Sequence, residues 1–137
     1  MESGFGWAPF GRATPAPETP ATASATPARH MAIVSCMDAR LDPLRALGLQ
    51  LGDAHVIRNA GAVVGQDVLH SLEASRELAG TTTVVLIAHS DCRAHDGDDE
   101  VAQAIVRNGV EKVRAALPGV EVSAAFYDFA GGRLSPL

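Results

Sequence analysis

The sequence predicts an α/β fold built on an open, mainly parallel β-sheet, and two observations support this class. Short apolar segments alternate along the chain with longer segments whose apolar residues recur at helical spacing. The most apolar segment, residues 82–89, is rich in β-branched residues and suits a parallel strand that is covered on both faces. This alternation predicts four strands plus a short edge strand, flanked by helices and preceded by an extended N-terminal arm.

Residues 1–29 form the predicted arm. Alanine, threonine and proline dominate residues 12–29, which predicts an extended or disordered segment with little to bury. The first part of the arm contains three aromatic residues: Phe5, Trp7 and Phe10. These suit either a flexible tail or an arm that docks on a neighbouring subunit. The rest of the chain, residues 30–137, has a length that suits one domain.

The first half of this domain contains two predicted strands and a short helix. The apolar segment 32–36 is the first strand. Asp42 and Pro43 then supply an N-cap and a first-turn proline, and Gly48 ends the short helix that they begin. Residues 54–58 form the second strand.

The second half alternates in the same way. A helix with apolar residues at helical spacing ends at Gly80, and the strand 82–89 follows. Acidic residues begin the next helix, 99–117, where the macrodipole favours negative charge. Residues 120–129 are the fourth strand, and the glycine pair 131–132 turns the chain into a short last strand.

Charge and hydropathy exclude several classes of partner. The net charge is −5 and the chain has no long run of lysine or arginine, which argues against nucleic acid and anionic membrane surfaces. No apolar stretch approaches the roughly 20 residues needed to span a bilayer. The N-terminus lacks the apolar region of a secretory signal, so we expect a cytoplasmic protein.

The chain has two cysteines, and their neighbours suggest a metal site. Cys36 ends the first predicted strand, His89 ends the third, and Cys92 follows three residues later. If these two strands are neighbours, all three side chains meet beyond the carboxyl ends of the strands. Two thiolates and one imidazole form a catalytic zinc set that leaves the fourth position for water. The alternative is a pair of buried free thiols.

Four stretches of the sequence resemble a known family, the β-class carbonic anhydrases, and most closely its short bacterial members. The matching stretches are SCMDARLDP (35–43), HVIRNAGAVV (55–64), HSDC (89–92) and, more weakly, FYDFAGGRL (126–134). In order, the resemblance covers residues 31–137.

The resemblance implies a function and a role for each motif residue. Cys36, His89 and Cys92 would bind one zinc ion per chain, and Asp38 and Arg40 would form a dyad beside the metal-bound water. The implied reaction is the reversible hydration of carbon dioxide to bicarbonate and a proton by a zinc lyase. The family also assembles, so we expect a homodimer or a higher homo-oligomer.

Two other functions fit the same residues. One is a zinc hydrolase for a carbon dioxide analogue such as carbonyl sulfide. The other is a non-catalytic, zinc-binding regulatory protein in which Asp38 replaces water as fourth ligand. For Asp38 and Arg40 themselves, the alternative to a catalytic dyad is a salt bridge within the loop that has no catalytic role.

Three further residues, and the length of one segment, bear on the shape of the predicted pocket. Arg93 stands where the family usually has glycine, and its side chain either narrows the pocket or turns outward. The segment 93–119 is also shorter than its usual counterpart, which predicts a more open pocket or a cover from another subunit. We expect His95 to be a solvated loop residue rather than a proton shuttle. Gly61 would let backbone approach the metal pocket.

Overall fold

The computed structural model describes residues 23–137. Phe5, Trp7 and Phe10 of the predicted arm lie outside the described residues. The part of the arm that is described, residues 23–29, lies against the start of the second strand. There the Ala28 and Arg29 amides donate to the carbonyl oxygens of residues 52 and 53, at 2.8 and 2.9 Å.

The predicted strands and helices are all present, with bounds that differ by one or two residues. The elements are β1 (Met31–Cys36), α1 (Pro43–Ala46), β2 (Ala54–Asn59), α2 (Gln66–Ala79), β3 (Thr83–His89), α3 (Asp99–Ala116), β4 (Glu121–Asp128) and β5 (Arg133–Pro136). One element was not predicted, a short 3₁₀ helix over Arg93–His95 between β3 and α3. The α/β class with a mainly parallel sheet is therefore confirmed.

Local signals in the sequence account for the helix ends. The Asp42 carboxylate accepts from the backbone N–H of Arg45 at the start of α1. Asp98 does the same for the N–H groups of Glu100 and Val101 at the start of α3. Gly80 adopts the left-handed conformation that ends α2.

The strands lie in the order β2-β1-β3-β4-β5, with β5 alone antiparallel. The strands β1 and β3 are parallel neighbours, and Ser35 pairs with Ile87 near their carboxyl ends. The strand order therefore reverses between β1 and β3, because β2 lies on one side of β1 and β4 lies on the far side of β3. This is the place where open α/β sheets bind ligands.

Both faces of the central strands are covered. Alternate residues of β1 and β3 enter a large cluster beneath α2 and α3, and the others enter a smaller cluster on the opposite face with residues from α1 and β5. Gly109 lets α3 approach the sheet, since a Cβ there would lie 2.6 Å from Cδ2 of Leu86. No helix among residues 23–137 is long and apolar enough to cross a membrane.

Candidate metal centre

The three predicted metal ligands meet where β1 and β3 end. Cys36 is the last residue of β1 and His89 the last residue of β3. The chain then turns through Asp91, which has a positive φ of 53°, and this turn brings Cys92 back toward the other two. All three side chains are buried, with exposed fractions of 5% or less.

The spacing of the donor atoms fits a tetrahedral metal site. The Sγ atoms of Cys36 and Cys92 are 3.9 Å apart and form no disulfide. Two thiolates on one tetrahedral zinc ion would be about 3.8 Å apart. One ligand atom from each of Cys36, His89 and Cys92 lies within 4.8 Å of the others.

The His89 ring is oriented as a metal ligand requires. Its Nδ1–H donates to the Ser90 carbonyl oxygen at 2.8 Å, which leaves the lone pair on Nε2. This Nε2 atom is buried and has no hydrogen-bond partner within residues 23–137. A buried nitrogen without a partner is costly unless a ligand satisfies it. Together with two thiols, it forms a donor set that fits a metal ion.

The ionisation of the Cys92 thiol depends on its buried surroundings. Burial raises the pKa of the Cys92 thiol, and the neighbouring Cys36 adds to the rise. A bound cation would reverse this effect, because a coordinated thiol is deprotonated.

Asp38 and Arg40 form a two-pronged ion pair beside the donor set. Nε and Nη2 of Arg40 donate to the two carboxylate oxygens of Asp38 at 3.0 and 2.8 Å, and the Arg40 backbone N–H adds a third bond. The Arg40 guanidinium thereby holds the pKa of the Asp38 carboxyl far below its usual range. Oδ2 of Asp38 lies 3.9 Å from His89 Nε2, so the carboxylate borders the candidate metal position.

Arg58 holds the end of β1, at Cys36, and the loop after it that carries Asp38. Its guanidinium donates to the carbonyl oxygens of Cys36, Asp38 and Leu41 at 2.8 to 2.9 Å. This role was not predicted. The available signal was an arginine within the stretch HVIRNAGAVV (55–64), which resembles the family.

Gly61 brings backbone to the candidate metal centre, as predicted. Its N–H donates to the Cys36 sulfur at 3.4 Å. His95, which we expected to be a solvated loop residue, is instead half-buried, and its Nε2–H donates to the Gly61 carbonyl oxygen at 3.0 Å. The 3₁₀ helix over Arg93–His95 explains the difference, because it turns the histidine back toward the site.

The Arg93 side chain turns outward, which is the second of the two directions considered for it. Its side chain is 84% exposed, and its Nε lies 3.7 Å from the Asp91 carboxylate. It does not narrow the pocket.

The chain is similar in sequence to known proteins over most of its described length. Residues 31–125 match the carbonic anhydrase family. Beta-carbonic anhydrase 1 of Mycobacterium tuberculosis is 45% identical over 112 residues, which cover 71% of this chain and 69% of that protein. This chain belongs to the β-carbonic anhydrase family.

The chain is also similar to a solved carbonic anhydrase structure and to an enzyme with a different activity. The crystal structure of carbonic anhydrase from Streptococcus mutans aligns with a TM-score of 0.73 at 33% identity, covering 81% of this chain and 82% of that one. A carbon disulfide hydrolase of Saccharolobus solfataricus is 37% identical over 84 residues, which cover 61% of this chain and 41% of that protein. The sequence similarity of this β-carbonic anhydrase thus extends to a second kind of enzyme.

Gly61→Ala should destabilise this β-carbonic anhydrase and weaken its metal binding. Gly61 has a φ of +86°, and an added Cβ would lie 2.5 Å from Nε2 of His95. We expect the free energy of unfolding to fall by about 1–3 kcal/mol. Chemical denaturation and titration with zinc would measure both effects. The matched control is Gly65→Ala, where φ is negative and the methyl group meets open space. Equal losses in both variants would contradict the prediction.

Proposed function

We propose that this β-carbonic anhydrase binds one zinc ion per chain and catalyses the reversible hydration of carbon dioxide to bicarbonate and a proton. One observation carries the proposal. Two buried thiols and a buried imidazole nitrogen, which has no partner among residues 23–137, converge beside an aspartate that an arginine keeps ionised.

Cys36, His89 and Cys92 are the proposed metal ligands. Sulfur donors favour zinc over magnesium or calcium, and three protein ligands leave a fourth position for water. When bound, zinc supplies Lewis acidity that lowers the pKa of a coordinated water from 15.7 to about 7.

Asp38 and Arg40 are the proposed catalytic dyad. The Asp38 carboxylate borders the donor set and can accept a hydrogen bond from a water held there, which orients the water's lone pair toward carbon dioxide. Arg40 fixes the direction of this carboxylate through two hydrogen bonds and keeps it charged. The dyad therefore positions the water and does not itself attack the substrate.

The geometry favours an enzyme over a regulatory protein with a closed zinc site. A closed site would require Asp38 as the fourth ligand. Both of its carboxylate oxygens are instead engaged by Arg40, and its own position is fixed by the Arg40 backbone N–H. This arrangement supports a site that stays open to water.

Hydrolysis of a carbon dioxide analogue is the second candidate function. It is supported by the similarity to carbon disulfide hydrolases, although these align over a smaller share of the chain than the carbonic anhydrases do. Parallel assays of the zinc-loaded protein with carbon dioxide, carbonyl sulfide and carbon disulfide would separate the candidates. Turnover of a sulfur compound without carbon dioxide hydration would overturn our assignment.

The purified protein should contain about one zinc ion per chain and hydrate carbon dioxide. Cys92→Ser should lose most of the metal and the activity, because a serine hydroxyl is a much harder donor than a thiolate. Ala94→Ser, an exposed position in the same turn, is the control and should keep both. Metal analysis and stopped-flow hydration would measure the outcomes. A folded and active protein without metal would refute the ligand assignment.

Asp38→Ala should keep zinc but lower kcat/KM for hydration by about 100-fold or more, since it removes the group that orients the water. Asp42→Ala is the matched control from the same loop. Its carboxylate caps α1 and should affect stability only. The two variants should be compared for zinc content and turnover across pH. Full activity in Asp38→Ala would show that Asp38 has no catalytic role.

Hydration activity should rise from near-neutral into alkaline pH. The attacking water must lose a proton, whereas Asp38 stays ionised throughout because its pKa is lowered. Arg93→Gly should leave the profile unchanged, since Arg93 points away from the site. Turnover of both proteins between about pH 6 and 9 brackets the pKa of the coordinated water. A flat profile for the unaltered protein, or a shifted one for Arg93→Gly, would contradict these expectations.

A homodimer or a higher homo-oligomer in the cytoplasm is the proposed form of the protein. The cytoplasm would keep both thiols reduced for metal binding. Met37, next to a proposed ligand, is 64% exposed on a single chain, which supports an interface with another subunit there.

We also propose that the 1–29 arm contributes to assembly. Deleting residues 1–22 should therefore lower the dimer fraction measured by analytical ultracentrifugation. A monomeric full-length chain would refute the dimer, and an unchanged dimer would refute the role of the arm.

A further inference from the structure

The Arg40 guanidinium is held on its face as well as on its edges. Its central carbon lies 4.3 Å from the centre of the Phe129 ring. This distance is within the range of a cation–π interaction. Phe129 directly follows β4, so the contact joins the β1–α1 loop to the opposite side of the site.

Phe129 is itself fixed against the turn that carries the candidate metal ligands. Its backbone N–H donates to Oγ of Ser90 at 3.0 Å, and the Ser90 N–H donates to the Tyr127 carbonyl oxygen. The ring packs at 5.3 Å from the His89 imidazole and meets Tyr127 edge-on at 5.4 Å. The position of the ring is therefore set by the same turn that places His89.

Arg40 also contacts a second carboxylate, that of Asp91. Its Nη1 donates to the Asp91 side chain at 3.4 Å, and its Nη2 donates to the Asp91 carbonyl oxygen at 3.2 Å. The Asp91 backbone is held in turn by the Asp99 side chain at 3.0 Å. Arg40 thus lies between two aspartates, and the shorter contacts are those with Asp38.

Edge contacts hold the guanidinium by its N–H groups but leave its face uncovered. The Arg40 side chain is 47% exposed, and solvent weakens ion pairs of this exposure. Stacking on an aromatic face restricts the plane of the guanidinium, which is the geometry that two parallel bonds to one carboxylate require.

We propose that Phe129 is a positioning residue that holds Arg40 in the plane in which it donates two hydrogen bonds to Asp38. The inference rests on the proposed carbonic anhydrase function for its kinetic consequence, but the position of Arg40 can be measured without turnover. Loss of the ring should let Arg40 move between the two aspartates and leave Asp38 less well oriented.

The first test follows Arg40 by NMR in the full-length, zinc-loaded protein. The order parameter of the Arg40 Nε–H bond should be high in the unaltered chain, lower in Phe129→Leu and restored in Phe129→Tyr, which keeps an aromatic face. Equal order parameters in all three proteins would overturn the proposal. This readout stands even if the protein does not hydrate carbon dioxide, a result that would instead refute the proposed function.

The second test is kinetic. Phe129→Leu should lower kcat by roughly three- to tenfold, the loss expected for one cation–π contact, with unchanged KM and zinc content. Phe129→Tyr should retain activity. In an Arg40→Gln background the same Phe129→Leu change should cost less than about twofold, because the partner is already absent. An equal loss in both backgrounds would show that Phe129 acts on His89 or on the fold, and would overturn the proposal.

Discussion

Parallel pairing between β1 and β3 is the constraint on which the site depends. Because the two strands run in the same direction and in fixed register, their last residues emerge at the same edge of the sheet. Cys36 and His89 are 53 residues apart in sequence, yet this pairing places them side by side at the point where strand order reverses. The tight turn at Asp91 then needs only three residues to add Cys92.

This placement brings three buried donor atoms together at one edge of the sheet. A buried imidazole nitrogen that has no partner among residues 23–137 is unfavourable in an apolar core, and two adjacent buried thiols lie beside it. The surrounding backbone compensates only in part, through the Gly61 N–H on the Cys36 sulfur and the Ser90 carbonyl on the His89 ring. A metal ion would bind all three donors together, and its binding would then be coupled to the stability of this end of the sheet.

The loops around the donor set are held by charged groups that reach across the sheet. Arg58 ties three carbonyl groups of the β1–α1 loop to β2, and Arg40 ties the same loop to the turn after β3. Phe129 brings the end of β4 into this arrangement. Each of the four parallel strands therefore contributes to the position of Asp38, although Asp38 itself lies in a loop.

The sequence by itself determined the elements and the donor set. Strand and helix positions follow from local periodicity and from caps such as Asp42 and Gly80, and these signals act over a few residues. The ligand candidates Cys36, His89 and Cys92 could be named because two thiols and one imidazole lie at or just after predicted strand ends, in motifs that resemble those of a known family. Only the tertiary structure decided that Arg58 holds the ligand loop, that His95 turns inward onto Gly61, that Arg93 turns outward and that Phe129 stacks on Arg40. These contacts join residues far apart in sequence, and they depend on side-chain directions that periodicity does not encode.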